Sequence, residues 1–104
     1  MPPALPQREL FLLSALADEP LHGYGLVKAV ERKSEGAIVF DPTHLYRLLR
    51  KLSTAGWIAE EPTSGESRRR TYAITEAGRR VLDDELERLA WLAEHLKPAA
   101  ERRP

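Results

Sequence analysis

The chain has 104 residues, 42 % hydrophobic and 31 % charged, with 16 Lys/Arg balancing 16 Asp/Glu and no cysteine. That length suits one domain or half of a symmetric dimer, because a monomer this small buries only about two-thirds of the surface its unfolded chain exposes. The composition excludes a disordered chain, disulfides and cysteine–zinc sites, and no apolar run approaches the roughly 20 residues of a membrane span.

The zero net charge conceals an uneven distribution. Residues 1–40 carry four Lys/Arg against five Asp/Glu, residues 41–80 eight against five, and residues 81–104 four against six. Positive charge is therefore concentrated in the middle of the chain, and local patches rather than net charge attract phosphates. The opening Met1-Pro2-Pro3-Ala4 has no basic stretch ahead of an apolar run. No signal peptide is expected, and the expected location is cytoplasmic.

Pro6 suits the first position of a helix, where its missing N–H removes no hydrogen bond. Leu10, Phe11, Leu12, Leu13 and Leu16 follow and cover more than one face. Two readings stay open: a helix buried all round, or one covered on one side by its own domain and on the other by a second subunit. Asp18-Glu19-Pro20 ends it. A second helix is predicted from about His22 to Lys33, with Leu26, Val27, Val30 and Tyr24 inward and Lys28, Glu31, Arg32 and Lys33 toward water. Ser34-Glu35-Gly36 closes it, and the short, β-branched Ala37-Ile38-Val39-Phe40 is expected to be a small strand.

The third helix has the sharpest start. Asp41 can cap its free N–H groups, and Pro42 fits its first turn. Leu45, Leu48, Leu49 and Leu52 recur at helical spacing and should pack inward, leaving Thr43, His44, Arg47, Arg50 and Lys51 largely outside that stripe. Gly56 is the natural left-handed cap. A ribbon is predicted next: Trp57–Glu61 as one strand, 62–67 as loop, and Arg70–Ile74 as the return strand, with Arg68-Arg69-Arg70 in or beside the loop. A capped basic helix followed by a basic ribbon is how a winged helix-turn-helix protein meets DNA, the helix in the major groove and the ribbon along the backbone.

Thr75 can cap a fourth helix, with Glu76 favourable at its N-terminus. Leu82, Leu86, Leu89, Ala93 and Leu96 form a heptad-like seam, too short to stand alone as a coiled coil. Trp91 falls opposite that seam at about 100° per residue. Pro98 stops the helix. The expected fold is mainly α with a small β-wing: a winged helix-turn-helix domain over residues 1–74 (1–5 loose), a dimerisation helix over 75–97, and a flexible tail over 98–104.

These features together resemble the PadR-like family of transcriptional regulators. The resemblance is carried by Leu21-His22-Gly23-Tyr24, by Leu45-Tyr46 with Leu49, Leu52 and Gly56-Trp57-Ile58, and by Arg69 through Gly78 (Arg-Arg-Thr-Tyr-Ala-Ile-Thr-Glu-Ala-Gly). It covers about residues 5–97 in the family's order and implies a homodimeric repressor on an inverted repeat, often released by a small molecule. One departure is Thr43-His44, where the family commonly has a small residue or Gly-Thr before Leu-Tyr. The single C-terminal helix matches the family's short members and leaves no separate ligand domain.

The expected DNA contacts are Thr43, His44 and Arg47 at base edges, with Arg47 able to grip guanine, and Arg50 and Lys51 at the backbone. The resemblance implies a phosphate contact for the Tyr46 hydroxyl, against packing on the second helix. Of Arg68, Arg69 and Arg70, one or two should reach phosphate, while Arg70 has the alternative of pairing with Glu60 or Glu61. His22, Gly23 and Tyr24 are either structural or a phosphate site at a helix N-terminus. A dimer interface is expected from Leu10, Phe11, Leu12, Leu82, Leu86, Leu89, Trp91, Ala93 and Leu96. Trp91 either packs on the partner's first helix or lines, with Phe11, a pocket for a flat hydrophobic or aromatic effector. No catalytic motif, metal site or cofactor is expected: His22, His44 and His95 lie in different elements, and no phosphate loop, nucleophile elbow or paired-carboxylate motif is visible. The competing reading is a winged-helix interaction or dimerisation module without sequence-specific DNA binding, which the zero net charge favours.

Overall fold

The computed structural model describes residues 4–61 and 70–101. In chain order the elements are α1 (Gln7–Asp18), β1 (Leu21–His22), α2 (Gly23–Lys33), α3 (Pro42–Thr54), β2 (Ile58–Glu61), β3 (Thr71–Ile74) and α4 (Glu76–His95). A single 3-10 turn follows at Ala99–Glu101. The strands form one antiparallel sheet in the order β1-β3-β2. Ile58 faces Ile74 and Glu60 faces Tyr72 across the ribbon, while Leu21 faces Tyr72 on the other side.

The core is built where the apolar periodicities converge. Leu12, Leu13 and Leu16 of α1 meet Leu26 and Val30 of α2, Leu45, Leu49 and Leu52 of α3, and Ile58, Tyr72 and Leu82. Four core residues lie on α1: Leu12, Leu13, Ala15 and Leu16. Leu10 and Phe11 are half-buried at its edge.

Local signals explain most boundaries. Asp41 accepts the His44 N–H at 2.9 Å and starts α3. Gly56 takes φ +81° at its end, a left-handed conformation that costs glycine little. The Thr75 hydroxyl accepts the Gly78 N–H at 3.1 Å and itself donates to the Gly56 carbonyl at 2.6 Å, so one threonine caps α4 and ties it to the end of α3. Gly78 has a second role. A Cβ there would stand 2.0 Å from the Trp57 carbonyl oxygen, so only glycine lets α4 cross this closely over the start of the ribbon.

Two expectations are corrected. Ala37–Phe40 is not a strand: it is an extended connector without a strand partner among the described residues. Ile38 and Phe40 alternate into the core while Ala37 and Val39 face out, which reproduces a strand's pattern without a ladder. The Ser34 hydroxyl holds the Ile38 N–H at 2.9 Å and fixes that path. The third strand comes instead from Leu21–His22, immediately before α2, where His22 also caps the helix by accepting the Gly25 N–H on Nδ1 at 3.1 Å.

Beyond Glu85 no residue of α4 is buried. Its first turns pack on α1 and the ribbon; its last three turns leave the body of the domain. The long dimension of 59 Å, against 27 and 21 Å, reflects this projection. No described helix is long and apolar enough to cross a membrane.

Candidate nucleic-acid interface

Helix α3 is strongly two-sided. Leu45, Leu49 and Leu52 are sealed in the core, which turns Thr43, Arg47 and Arg50 outward on one face. With Pro42 and Tyr46 these residues line a shallow hollow of about 390 Å³. Neither Arg47 nor Arg50 forms an ion pair with another described residue. Arginine's planar fork suits phosphate oxygens and the guanine edge.

Tyr46 sits at the border of this face, 51 % exposed. Its hydroxyl lies over Gly23, where a Cβ would come within 2.9 Å of it. The ring therefore packs against the start of α2, and a side chain at position 23 would have to displace the Tyr46 hydroxyl, the end of a half-exposed side chain. Tyr24, next in sequence, is 67 % exposed, with the Lys28 ammonium 5.6 Å from its ring centroid. The cap role of His22 and the Gly23–Tyr46 contact give two residues of the Leu21-His22-Gly23-Tyr24 motif a structural role, whereas Tyr24 is exposed rather than packed inward.

His44 is exposed, and its Nδ1 lies 2.7 Å from Asp41 Oδ2. The Asp41 carboxyl is held below its ordinary value, first by the His44 backbone N–H and then by the His44 ring.

Lys51 is placed differently from the sequence expectation. It lies on the flank of α3 and reaches back to α1, where Nζ donates to Glu9 Oε1 at 2.9 Å. The Glu9 side chain is only 6 % exposed, so Lys51 is the counter-ion of a buried carboxylate rather than a free phosphate ligand. Nothing in the sequence pairs two residues 42 apart on separate helices, and Glu9 was not singled out.

In the ribbon, Arg70 reaches Glu60 at 3.3 Å, the acid pairing foreseen as its alternative. Both partners are exposed, so the pair is weak and Arg70 stays available for exchange onto phosphate. Arg68 and Arg69 lie outside the described residues. The Tyr72 hydroxyl beneath this strand is pushed up, first by burial and then by the charge on Glu60.

The residues expected at a subunit contact divide into two groups. Leu12 (0 % exposed) and Leu82 (5 %) belong to the protomer's own core and present nothing to a partner. Leu86, Leu89 and Leu96 are exposed large apolar residues on one stripe of α4, with Ala93 between them. Trp91 is 51 % exposed on another face and stacks on His95 with centroids 3.9 Å apart.

Trp91 also lines a groove of about 910 Å³ between the start of α1, the end of α3 and the middle of α4. Phe11 is not in its lining. The second aromatic is Trp57, beside Leu5, Pro6 and Val81, with the Glu9–Lys51 pair on one wall. Glu85 and Arg88 form the other wall through two short bonds, 2.7 and 2.8 Å. The Arg88 bond holds the Glu85 carboxyl below the usual range, and the carboxylate raises Arg88 in turn. The Glu85–Arg88 pair is local, three residues apart on α4, while the burial of Glu85 comes from the packing of α4 against the start of the chain, where the Leu5 N–H donates to Glu85 Oε2.

Comparison with known proteins agrees with this architecture. A model of the transcriptional regulator PadR-like family matches residues 12–84. A 37.1 kDa protein of transposon TN4556 from Streptomyces fradiae is 34 % identical over 85 residues, covering 82 % of this chain and 24 % of that protein. The chain thus spans about a quarter of the length of this curated relative. A transcriptional regulator from Clostridium thermocellum superposes with a TM-score of 0.70 at 27 % identity, over 85 % of this chain and 84 % of that one. A PadR family regulator from Clostridium difficile shares the fold, with a TM-score of 0.73 at 15 % identity over 85 % and 92 % of the two chains. So does Bacillus subtilis PadR, solved in complex with operator DNA, with a TM-score of 0.68 at 21 % identity over 98 % and 54 %. By its family match, its helix order and its three-stranded wing, this chain belongs to the PadR-like family of transcriptional regulators.

Proposed function

We propose that the chain is a sequence-specific DNA-binding repressor that acts as a homodimer on an inverted repeat. The observation that carries this reading is the outer face of α3, where Thr43, Arg47 and Arg50 stand exposed and without described ion partners while the leucines opposite are sealed in the core. Such a helix offers base-edge and phosphate ligands on a rigid support. Bacillus subtilis PadR, which shares the fold, was solved in complex with operator DNA, which supports a DNA-binding role for this fold.

The projecting stripe of Leu86, Leu89 and Leu96 supports the dimer, since a contiguous exposed apolar row marks an interaction surface. Two copies joined through α4 place two α3 helices on half-sites about one helical turn, or a multiple, apart. The groove at Trp57 and Trp91 is the natural seat for a small hydrophobic or aromatic effector, because it adjoins both α4 and, through Lys51, the recognition helix. Quenching of tryptophan fluorescence by such a compound, lost in Trp91→Ala, is the check on that part.

The direct test of the DNA reading is the pair Arg47→Ala and Arg69→Ala. Loss of Arg47 should relax preference at one base position, where a good bidentate contact is worth about 1–3 kcal/mol. Loss of Arg69 should weaken all sequences alike and flatten the salt dependence by about 0.9 in log–log slope. Equal loss on every sequence in both variants would remove Arg47 from base readout.

A further inference from the structure

Both carboxylate oxygens of Asp41 close on the same residue. Oδ1 accepts the His44 backbone N–H at 2.9 Å, and Oδ2 lies 2.7 Å from the His44 ring Nδ1. The first bond is an N-cap that Ser, Thr or Asn would also supply. The second is not needed by the helix. The two side chains are 56 % and 65 % exposed, so packing does not force them together.

The ring bond has a chemical consequence. An ionised carboxylate can only accept hydrogen bonds, so Oδ2 requires the proton on Nδ1. The lowered Asp41 carboxyl keeps this group ionised through the neutral range. With Nδ1–H committed to Asp41, Nε2 of the neutral imidazole carries only a lone pair.

We propose that Asp41 is a positioning residue for base recognition: the Asp41–His44 pair holds the His44 imidazole in the tautomer whose Nε2 is an acceptor, matched to an amino group on a base edge. The inference rests on the reading of α3 as the helix that enters the major groove. There, adenine N6 and cytosine N4 are the amino donors that an acceptor Nε2 can meet; guanine N7 and O6, thymine O4 and adenine N7 are acceptors. His44 then distinguishes amino bases (adenine or cytosine) from keto bases (guanine or thymine) at one position of each half-site. This preference is separate from any guanine contact by Arg47.

The substitution Asp41→Asn tests this without removing the cap. The asparagine Oδ1 still accepts the His44 N–H, and its amide NH2 donates to Nδ1. The ring proton then moves to Nε2, which becomes a donor. At about pH 8, where free imidazole is neutral, nitrogen–proton correlation spectra of the intact protein should show Nδ1–H in the wild type and Nε2–H in Asp41→Asn. DNA selection on the two proteins should return the same half-site spacing, with guanine and thymine gaining about five- to tenfold at one position and cytosine excluded there in Asp41→Asn. His44→Ala should leave that position without preference. Nε2–H in the wild type would overturn the proposal, as would a flipped tautomer with an unchanged selected base. A wild type that carries Nδ1–H but selects no sequence would overturn the DNA reading, and this inference with it; a specific site indifferent to the tautomer overturns this inference alone.

Discussion

Lys51 is a basic residue on the recognition helix, yet its ammonium is engaged by Glu9, and Lys51→Met separates a structural role from a DNA role. Methionine keeps the unbranched stem against the groove wall and deletes only the charge. The Glu9 carboxylate, 6 % exposed, then loses the one hydrogen bond it makes among the described residues. Leaving a charged acceptor unpaired costs about 1–3 kcal/mol, and the 65 % exposure of the lysine side chain places this case in the lower half, about 1–2 kcal/mol. For a domain of this size that corresponds to a melting temperature about 4–15 °C lower. Denaturant and thermal unfolding at one fixed protein concentration measure it, since a dimer's stability depends on concentration. Adding Glu9→Gln should return much of the loss, because the stranded charge goes with it, and the two changes should couple in a double-mutant cycle. The salt dependence of DNA binding should not change. Lys51→Met with full stability and a log–log salt slope shallower by about 0.9 would refute the argument and restore Lys51 as a phosphate contact.

Other consequences are equally specific. Gly78→Ala must displace the Trp57 carbonyl, 2.0 Å from the new Cβ, so a loss of about 1–3 kcal/mol is expected despite alanine's better helix propensity; unchanged unfolding would mean α4 can shift without cost. Leu89→Lys should shift the chain toward monomer in sedimentation experiments and weaken operator binding far more than binding to a half-site, whereas an intact dimer would place the interface elsewhere. For pH, the Asp41 carboxyl is lower in the folded state than its ordinary 3.8. Its contribution to the start of α3 is therefore complete above about pH 4 and lost as pH falls through the lower folded value, so Asp41→Asn should lower stability somewhat in the neutral range and match the wild type at low pH, which flattens the acid limb of the profile.

Much of this architecture was legible because it rests on local chemistry. Asp41-Pro42 announced α3, Gly56 its end and Thr75 the start of α4, and each does in the structure what its side chain or backbone predicts. The leucine spacing of α3 also identified the buried face, and by difference the exposed arginines. What escaped was long-range. Leu21–His22 pairs with Thr71–Tyr72 across the sheet, yet two residues have no periodicity to read. Ile38 and Phe40 alternate like a strand because both enter the core, while pairing depends on a neighbour that is absent there among the described residues. Leu12 and Leu82 looked like partner contacts because hydrophobic spacing cannot tell a domain's own core from a subunit interface. For the candidate site, Arg47 and Arg50 were legible, whereas the Glu9–Lys51 pair on the groove wall joins residues 42 apart and depends on how α1 packs against α3.

Selection of random double-stranded DNA by the purified protein, at about 150 mM salt, tests the central claim most directly. The account predicts enrichment of an inverted repeat whose half-sites lie about one helical turn, or a multiple, apart, with one position lost in Arg47→Ala. No enrichment by an intact dimer, with Arg47 and Arg69 dispensable, would contradict it and leave a winged-helix module whose partner is protein rather than DNA.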